Sequence, residues 1–270
     1  MPEGPEIRRA ADRLAAAMVG QPLVSAWFAF PALKRHQRAL RGRVVAAIEP
    51  RGKALLTRFD NGWTLYTHNQ LYGVWRVAGR GERPESGRSL RVALETAARA
   101  ILLYSASDVA MWRTAELAAH PFLARIGPDV LDPALDAAAV EARLRDPRFA
   151  RRRLAGLLLD QAFLAGMGNY LRAEVLFEAG IAAGRAPAGL DPAERRRLAI
   201  ALLAVPARSY RTRGIAPAAG MRADYLTDTA DGFRFRVFDR AGLPCETCGT
   251  PIERSEAGGR RLYFCPRCQV

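Results

Sequence analysis

Apolar residues near the start of the chain recur with the period of an α-helix. Between Ile7 and Met18 they fall on one helical face, three or four residues apart. Pro5 stands in the opening turn, where a helix tolerates proline. The pattern therefore predicts one helix at the beginning of the fold.

Short β-type runs follow, separated by turn residues. Asp60-Asn61-Gly62 lies between two of them and is a strong hairpin signal. About seven closely spaced strands predict a two-layer antiparallel sandwich. The runs are Leu23–Phe30, Arg43–Glu49, Lys53–Phe59, Trp63–His68, Tyr72–Val77, Leu90–Glu95 and Ala100–Ser105.

The second half of the chain has a helical pattern. It begins after Gly127-Pro128-Asp129, with a helix predicted to start at Asp132-Pro133, and continues to about Arg211. The stretch Gly214–Gly232 is rich in Gly, Ala, Pro and Asp and predicts a mobile loop. A last β-type run, Phe233–Phe238, predicts a strand before the cysteines.

Charge narrows the class of partner. The 270 residues include 41 Lys plus Arg against 27 Asp plus Glu, a net charge of +14 that predicts attraction to a polyanion. A membrane surface fits this charge equally well, but no apolar run approaches the ~18 residues of a spanning helix, so nucleic acid is favoured. The charged opening Pro2–Arg9 contains no apolar signal segment, and we expect a cytoplasmic protein.

The residues Pro2-Glu3 place a secondary amine beside a carboxylate if Met1 is removed. An α-amino group has a pKa of about 8 and lysine about 10.4, so roughly a tenth of a free terminal amine is neutral and nucleophilic at pH 7. The pair can therefore carry imine chemistry. Considered alone, these residues also fit an ordinary frayed terminus.

Lysine is rare in this chain, and only Lys34 and Lys53 occur among the 41 basic residues. A lysine can lose its proton, whereas arginine does not. Lys53 follows a tight turn at the start of an apolar strand, and Lys34 fits a solvated surface position. Lys53 is the candidate for chemistry.

All four cysteines lie near the end of the chain, in two pairs that each enclose two residues. This spacing predicts a tetrahedral four-thiolate Zn²⁺ site with no open position for water, so the metal is structural. Two disulfides are the alternative, and they require an oxidising compartment that nothing else in the sequence indicates. The four candidate ligands are Cys245, Cys248, Cys265 and Cys268.

Two further segments combine unusual residue types. Gly166-Met167-Gly168-Asn169 joins two predicted helices, and Asn169 can cap the second helix at an end that suits a phosphate. An ordinary helical hairpin explains the same segment. Gln70, Leu71 and Tyr72 lie between two strands and resemble a wedge that could enter a base stack, with core packing of Leu71 and Tyr72 as the alternative.

Together these motifs resemble the formamidopyrimidine-DNA glycosylase and endonuclease VIII family over essentially the whole chain. Gly4 and the wedge are similar to the bacterial endonuclease VIII branch. The resemblance is carried by Met1-Pro2-Glu3-Gly4-Pro5-Glu6-Ile7, Arg51-Gly52-Lys53, Gln70-Leu71-Tyr72-Gly73, Gly166-Met167-Gly168-Asn169-Tyr170 and the cysteine module.

The resemblance implies an α+β fold in two domains. An N-terminal antiparallel β-sandwich with flanking helices, residues 1–128, would precede a helix-two-turns-helix domain, residues 129–240, and a zinc finger, residues 241–270. It further implies a monomer that acts on double-stranded DNA containing oxidised bases or abasic sites, and not on a membrane.

The resemblance also assigns roles. Pro2 would attack C1′ of a nucleotide rotated out of the duplex, Glu3 would protonate the sugar ring oxygen, and Lys53 would contact phosphate beside the lesion. Asn169 and Arg260 would clamp the neighbouring phosphates, with Arg260 also counted in the catalytic set. Gln70, Leu71 and Tyr72 would fill the vacated space. Glu6 matches a position near the site whose role stays open.

The implied activity is a DNA glycosylase and abasic-site lyase of base excision repair that removes oxidised pyrimidines by β,δ-elimination. An enzyme with the same mechanism that removes oxidised purines, including 8-oxoguanine, is the nearest alternative. A non-catalytic zinc-ribbon protein that binds DNA is a third. The long segment Gly214–Gly232 makes lesion preference the weakest implication.

Overall fold

A computed structural model describes residues 2–212 and 232–270. The predicted loop Gly214–Gly232 lies outside these residues except for Gly232 itself. Cα proximity divides the described chain into two compact units. Pro2 and residues 7–124 form the first unit, and residues 3–6 group with residues 125–270 in the second. The predicted division at 128/129 and 240/241 stays a prediction.

The predicted N-terminal helix is confirmed as α1, Gly4–Met18. Its apolar face lies in the core of the first unit, where Ile7, Leu14 and Met18 are buried. A second helix, α2, spans Lys34–Leu40 and begins with the exposed Lys34.

Eight strands of the first unit form two four-stranded antiparallel sheets, with orders β1-β6-β7-β5 and β2-β3-β4-β8. Alternate side chains of both sheets share one apolar core with α1, which confirms the predicted sandwich. The strands are β1 Ser25–Phe28, β2 Val45–Arg51, β3 Ala54–Phe59, β4 Trp63–His68, β5 Val74–Gly79, β6 Leu90–Glu95, β7 Arg99–Tyr104 and β8 Asp108–Arg113.

Strand β8 was not among the seven predicted strands. Its residues are half-buried along almost its whole length, and it pairs at the edge of its sheet with β4 alone. Without alternating buried and exposed positions, an edge strand gives little periodic signal. The predicted hairpin at Asp60-Asn61-Gly62 joins β3 to β4, with Gly62 at φ 75°.

The second unit is mainly helical and ends in a two-stranded hairpin. One apolar core runs through its helices and into the hairpin. The elements are α3 Ala137–Arg145, α4 Pro147–Ala150, α5 Leu154–Leu157, α6 Asn169–Ala179, α7 Pro192–Arg211, β9 Glu253–Ala257 and β10 Arg260–Phe264. We call β9, β10 and their Gly258-Gly259 turn the zinc hairpin.

Three predictions in this half were wrong in detail. The helix expected at Asp132-Pro133 begins only at Ala137, because the Asp136 side chain caps it by accepting from Ala139 N. The first of the two helices expected on either side of Gly166-Met167-Gly168-Asn169 ends at Leu157 and is followed by turns. The expected strand Phe233–Phe238 is irregular.

The irregular segment has a specific physical cause. The carboxylate of Glu174, buried in α6, accepts hydrogen bonds from Arg236 N at 3.0 Å, Val237 N at 3.0 Å and Phe238 N at 2.8 Å. Three successive amides that converge on one side chain cannot alternate between two strand neighbours. A side chain distant in sequence therefore replaces the sheet ladder that the pattern predicted.

Candidate active site and metal centre

The buried carboxylate of Glu3 lies at the N-terminus of α6. Its two oxygens accept hydrogen bonds from Tyr170 N at 2.9 Å and from Leu171 N at 3.2 Å. An anion is stabilised there by otherwise unpaired amides and by the positive end of the helix dipole. The expectation that Asn169 caps this helix was wrong, because the cap residue is Gly168 and the anionic group is Glu3.

Two glycines allow this approach. A Cβ on Gly168 would stand 2.2 Å from Glu3 Cδ, so any side chain at this position would displace the carboxylate. Gly166, at φ 94°, accepts from Gly4 N at 2.8 Å. The glycine turn therefore packs its backbone against the start of the chain.

Glu6 fixes the peptide that follows Pro2. Its carboxylate accepts from Glu3 N at 2.9 Å and from the Tyr170 hydroxyl at 3.1 Å, and that hydroxyl lies 2.9 Å from Ser209 Oγ. Pro2 itself is half-buried. This network holds the backbone immediately after the candidate nucleophile in one conformation.

Asn169 connects α6 to the zinc hairpin. Its Nδ2 donates to Arg261 O at 2.9 Å, and its Oδ1 accepts from Arg172 Nη2 at 2.7 Å. Arg260 is the exposed first residue of β10 and pairs with Ala257 across the hairpin. Asn169 and Arg260 thus belong to one connected part of the second unit.

In the first unit Lys53 lies at the turn between β2 and β3. Its side chain is only 7% exposed. The pairing of Ala54 with His68, and of His68 with Asp108, brings this turn to the same end of the sheet as β4 and β8. Burial lowers the pKa of His68, and the charge of Lys53 lowers it further against the opposing effect of Asp108.

The predicted wedge is exposed. Leu71 and Tyr72 retain 58% and 68% exposure at the end of β4, so the alternative of core packing was wrong. Gln70 has a φ of 52°, and a Cβ on Gly73 would stand 2.5 Å from Asn69 O. The loop is therefore a tight turn that directs large side chains into solvent, an arrangement that apolar residues rarely take without a partner.

Three side chains outside the wedge hold this loop. Ser107 Oγ donates to Gln70 Oε1 at 2.6 Å, and Arg88 Nη1 donates to Tyr72 O at 2.6 Å. Gln70 N donates to His68 Nδ1 at 3.0 Å, which requires that nitrogen to be unprotonated. These contacts order the base of the loop while its apolar tip stays exposed.

The four cysteines form one cluster, with all Sγ atoms within 4.8 Å of one another. The Sγ atoms of Cys245 and Cys268 are 3.9 Å apart, and those of Cys248 and Cys265 are 3.5 Å apart. A zinc ion bonded to four sulfurs at about 2.3 Å separates them by about 3.8 Å. The geometry fits zinc, and the disulfide alternative was wrong since all four are free thiols.

Three thiols of the cluster differ in pKa. Burial raises the pKa of the Cys265 and Cys268 thiols, whereas hydrogen bonds from Thr250 lower that of Cys248 to about 6. A metal ion deprotonates its coordinating thiols and so removes this mismatch. The zinc is structural, because protein sulfurs fill all four tetrahedral positions.

Sequence reasoning missed Arg172, Glu174 and Ser209. All three side chains are buried, and the two charged ones lie on a helix whose residues are almost all buried. Charged residues inside an otherwise apolar helix are the signal that could have found Arg172 and Glu174. Ser209 gave no such signal, since serine is common on any helix.

The described ranges 2–212 and 232–270 contain no helix that is both long enough and apolar enough to cross a membrane.

Family models match most of the chain. The formamidopyrimidine-DNA glycosylase N-terminal domain matches residues 1–107, and the H2TH domain of the same enzymes matches residues 126–216. A zinc finger found in FPG and IleRS matches residues 242–270. The three matches follow the order of the sandwich, the helices and the cysteine cluster.

Full-length relatives agree. The chain is 55% identical over 269 residues to Endonuclease 8 of Escherichia coli O9:H4 strain HS and of Enterobacter sp. strain 638, with 100% of each chain covered.

Solved structures share the fold. Lactococcus lactis Fpg in complex with N7-benzyl-Fapy-dG DNA has a TM-score of 0.83 at 22% identity, covering 99% of both chains. MutM in complex with carbocyclic 8-oxo-G DNA has a TM-score of 0.82 at 20% identity, covering 100% of both. The chain therefore belongs to the formamidopyrimidine-DNA glycosylase and endonuclease VIII family, the DNA glycosylases and abasic-site lyases of base excision repair.

Proposed function

We propose that this enzyme excises oxidised pyrimidines from double-stranded DNA through an iminium on Pro2 and then cleaves the strand by β- and δ-elimination. The carrying observation is Glu3, whose carboxylate is fixed by the amides of Tyr170 and Leu171 directly beside Pro2 in the chain. A carboxylate held in place next to a secondary amine is the pairing that imine chemistry at a sugar requires.

The chemical steps assign Pro2 as nucleophile. Its nitrogen bonds to C1′ as the bond between C1′ and the damaged base breaks. The base leaves with that electron pair and takes up the proton that the proline nitrogen loses. Glu3 delivers a proton to the ring oxygen as the ring opens. The resulting C1′ iminium is cationic and draws electrons from C2′, so loss of a C2′ proton expels the 3′ phosphate. This mechanism requires prior removal of Met1.

The remaining residues bind and hold the DNA. Asn169 and Arg260 contact phosphates around the extruded nucleotide, and Lys53 contacts a phosphate beside the lesion. Charge-assisted hydrogen bonds of this kind are stronger than neutral ones and suit that task. Gln70, Leu71 and Tyr72 enter the base stack. The exposure of the Leu71 and Tyr72 side chains supports this assignment.

The proposed setting is a monomer that acts on DNA in the cytoplasm. The net charge of +14 supports a nucleic-acid partner over an uncharged one. Light scattering of the DNA-free protein measures its mass directly, and a dimer would contradict the proposed monomer.

Borohydride reduction tests the nucleophile. Trapped on a duplex with one abasic site, the adduct should be located by mass spectrometry on the nitrogen of residue 2, with Met1 absent. An adduct on Lys53 would overturn the assignment of Pro2.

The two lysines provide a matched pair for the same assay. Lys53→Ala should slow trapping strongly, because it removes a buried cation from the proposed site, whereas Lys34→Ala removes an exposed lysine and should trap at the wild-type rate. Equal rates for both variants would contradict a role for Lys53.

Oxidised purines are the second candidate substrate class. The supporting observation is the fold shared with Fpg and MutM, whose solved complexes contain N7-benzyl-Fapy-dG and carbocyclic 8-oxo-G DNA. Parallel single-turnover assays on thymine glycol and 8-oxoguanine duplexes decide between the two. A strong preference for 8-oxoguanine would reverse the proposed pyrimidine specificity. The non-catalytic zinc-ribbon alternative does not survive the family assignment.

A further inference from the structure

Arg172 is a fully buried cation in the first turn of α6, with 0% exposure. Its guanidinium donates to four oxygens, and none of them is charged. Nη1 donates to Ala155 O at 2.8 Å and Ala257 O at 3.2 Å, and Nη2 donates to Asn169 Oδ1 at 2.7 Å and Arg261 O at 3.1 Å. A buried charge with only neutral partners is costly, which makes Arg172 a candidate for a role beyond packing.

One contact sets the orientation of the Asn169 carboxamide. Its oxygen faces the Arg172 guanidinium and its nitrogen faces the carbonyl of Arg261. A flipped amide would place donor against donor and acceptor against acceptor. Nδ2 carries two hydrogens, and Arg261 O accepts one of them. The other is the donor that a phosphate oxygen needs.

Two further contacts anchor the zinc hairpin. Ala257 and Arg261 lie on either side of its turn and flank Arg260, and both of their carbonyls accept from Arg172. One guanidinium thus holds both the amide of Asn169 and the backbone that carries Arg260.

The charge of Arg172 is left without a full set of partners. Among the described residues its buried Nε has no hydrogen-bond acceptor. Burial, followed by repulsion from Arg260, lowers the pKa of Arg172 to about 10, while Glu3 opposes this effect. A phosphate held at Asn169 and Arg260 would bring a compensating negative charge close to this cation.

We propose that Arg172 is a positioning residue that orients the Asn169 carboxamide and the Arg260 backbone for phosphate binding. The inference rests on the proposed phosphate contacts of these two residues. Arg172 itself is buried and does not need to touch the DNA.

A double-mutant cycle tests the proposal. The probe is a duplex with a non-cleavable abasic-site analogue, and Kd is measured for wild type, Arg172→Met, Asn169→Ala and the double variant. Arg172→Met should weaken binding about tenfold, the effect of losing one hydrogen bond to a charged group. In the Asn169→Ala background the same change should cost less than about threefold, because part of its effect passes through the lost amide.

Arg196→Met is the matched control. Arg196 lies on α7 and is paired with Glu141 at the surface, so its loss removes one positive charge from the same unit without touching the network. It should leave Kd near the wild-type value. If Arg196→Met weakened DNA binding as much as Arg172→Met does, the loss of one positive charge would explain both effects. That result would overturn the proposal.

Two outcomes separate this inference from the proposed function. If Asn169→Ala alone leaves Kd unchanged, the phosphate contact of Asn169 is wrong and the role of Arg172 at that residue falls with it. Suppose instead that Asn169→Ala weakens binding while Arg172→Met raises Kd by the same factor in the wild-type protein and in the Asn169→Ala protein. In that case the two residues act independently, and only the Arg172 proposal is wrong.

A variant that keeps the charge guards against misfolding. If Arg172→Met loses its zinc, the cycle is repeated with Arg172→Lys, which retains a cation but can reach fewer of the four oxygens. The Asn169 side-chain amide resonances in a nitrogen-15 spectrum should then shift with the loss of affinity. Unchanged resonances together with an unchanged Kd would overturn the proposal.

Discussion

At the scale of single residues, position in the fold gives two nearby carboxylates different partners. Glu3 receives two backbone amides at a helix N-terminus, and Glu6 receives the Tyr170 hydroxyl and the amide of Glu3. The first arrangement fixes a carboxylate beside the proposed nucleophile. The second fixes the peptide that connects them. Both carboxylates depend on hydrogen bonds from residues far away in the sequence, Tyr170 and Leu171.

His68 leads to a prediction about pH. Its neutral ring accepts from Gln70 N, and burial lowers its pKa below the ordinary 6.5. The folded protein therefore binds fewer protons than the unfolded chain, and stability should fall as pH drops from about 6.5 toward the folded-state pKa. Urea unfolding at pH 7.5, 6.5 and 5.5 measures this loss.

The non-titrating variant His68→Asn is the control for that experiment. His36 and His120 also have lowered pKa values because of burial, so the variant should show a smaller pH dependence and not a flat one. A dependence equal to that of the wild type would assign no share of the effect to His68.

Residue chemistry that is complete in a local motif could be predicted from sequence. The cysteine spacing predicted the metal centre. The bulky residues after His68 indicated a wedge, but only the structure decided between that wedge and core packing of Leu71 and Tyr72. Arg172 could not be assigned, because its four acceptors come from three segments that only the fold brings together. The cap on α6 failed for the same reason, since Glu3 is 166 positions from Asn169 by residue number.

At the scale of elements, α6 organises the second unit through its buried polar side chains. Its first turn holds Glu3 and Asn169, and its middle turn holds Glu174, which binds the amides of residues 236–238. The apolar spacing of Phe233–Phe238 predicted a strand because alternation reports only which residues are buried. The alternation of apolar residues cannot show that the Glu174 carboxylate accepts the hydrogen bonds that a neighbouring strand would otherwise accept.

Removal of the Glu174 carboxylate should therefore destabilise the second unit. Glu174→Ala leaves three amides without their acceptor, two of them buried, and an unsatisfied buried donor costs about 1 to 3 kcal/mol. We expect a loss of about 3 kcal/mol or more in the free energy of unfolding, measured by urea denaturation at pH 7.

A neighbouring glutamate on the same helix provides the comparison. Glu178 forms ion pairs with Arg208 and Arg236 at a partly exposed position, and such pairs contribute about 1 kcal/mol or less. Glu178→Ala should cost far less than Glu174→Ala. Similar losses for the two variants would mean that the amide contacts of Glu174 contribute little.

At the scale of the whole chain, each of the two units is stabilised internally by a different kind of core. The first unit has a sandwich core shared by two sheets and α1, whereas the core of the second continues from the helices into the zinc hairpin. Phe238 and Tyr263, for example, meet edge to face with ring centroids 5.2 Å apart. Length and composition predicted a basic two-domain protein. The spacing of apolar residues along the chain could not show that the core of the second unit continues from the helices into the zinc hairpin.

That continuity predicts how far the effect of zinc removal extends. Without the metal, Cys265 is a thiol whose pKa burial raises, and Ile252 and Leu262 lose the fold that packs them against the helices. Hydrogen exchange after chelation should therefore accelerate in α6 as well as in residues 242–270, while residues 7–124 keep their protection. Restoring zinc should reverse the change. Faster exchange confined to residues 242–270 would show that packing of the hairpin does not stabilise α6.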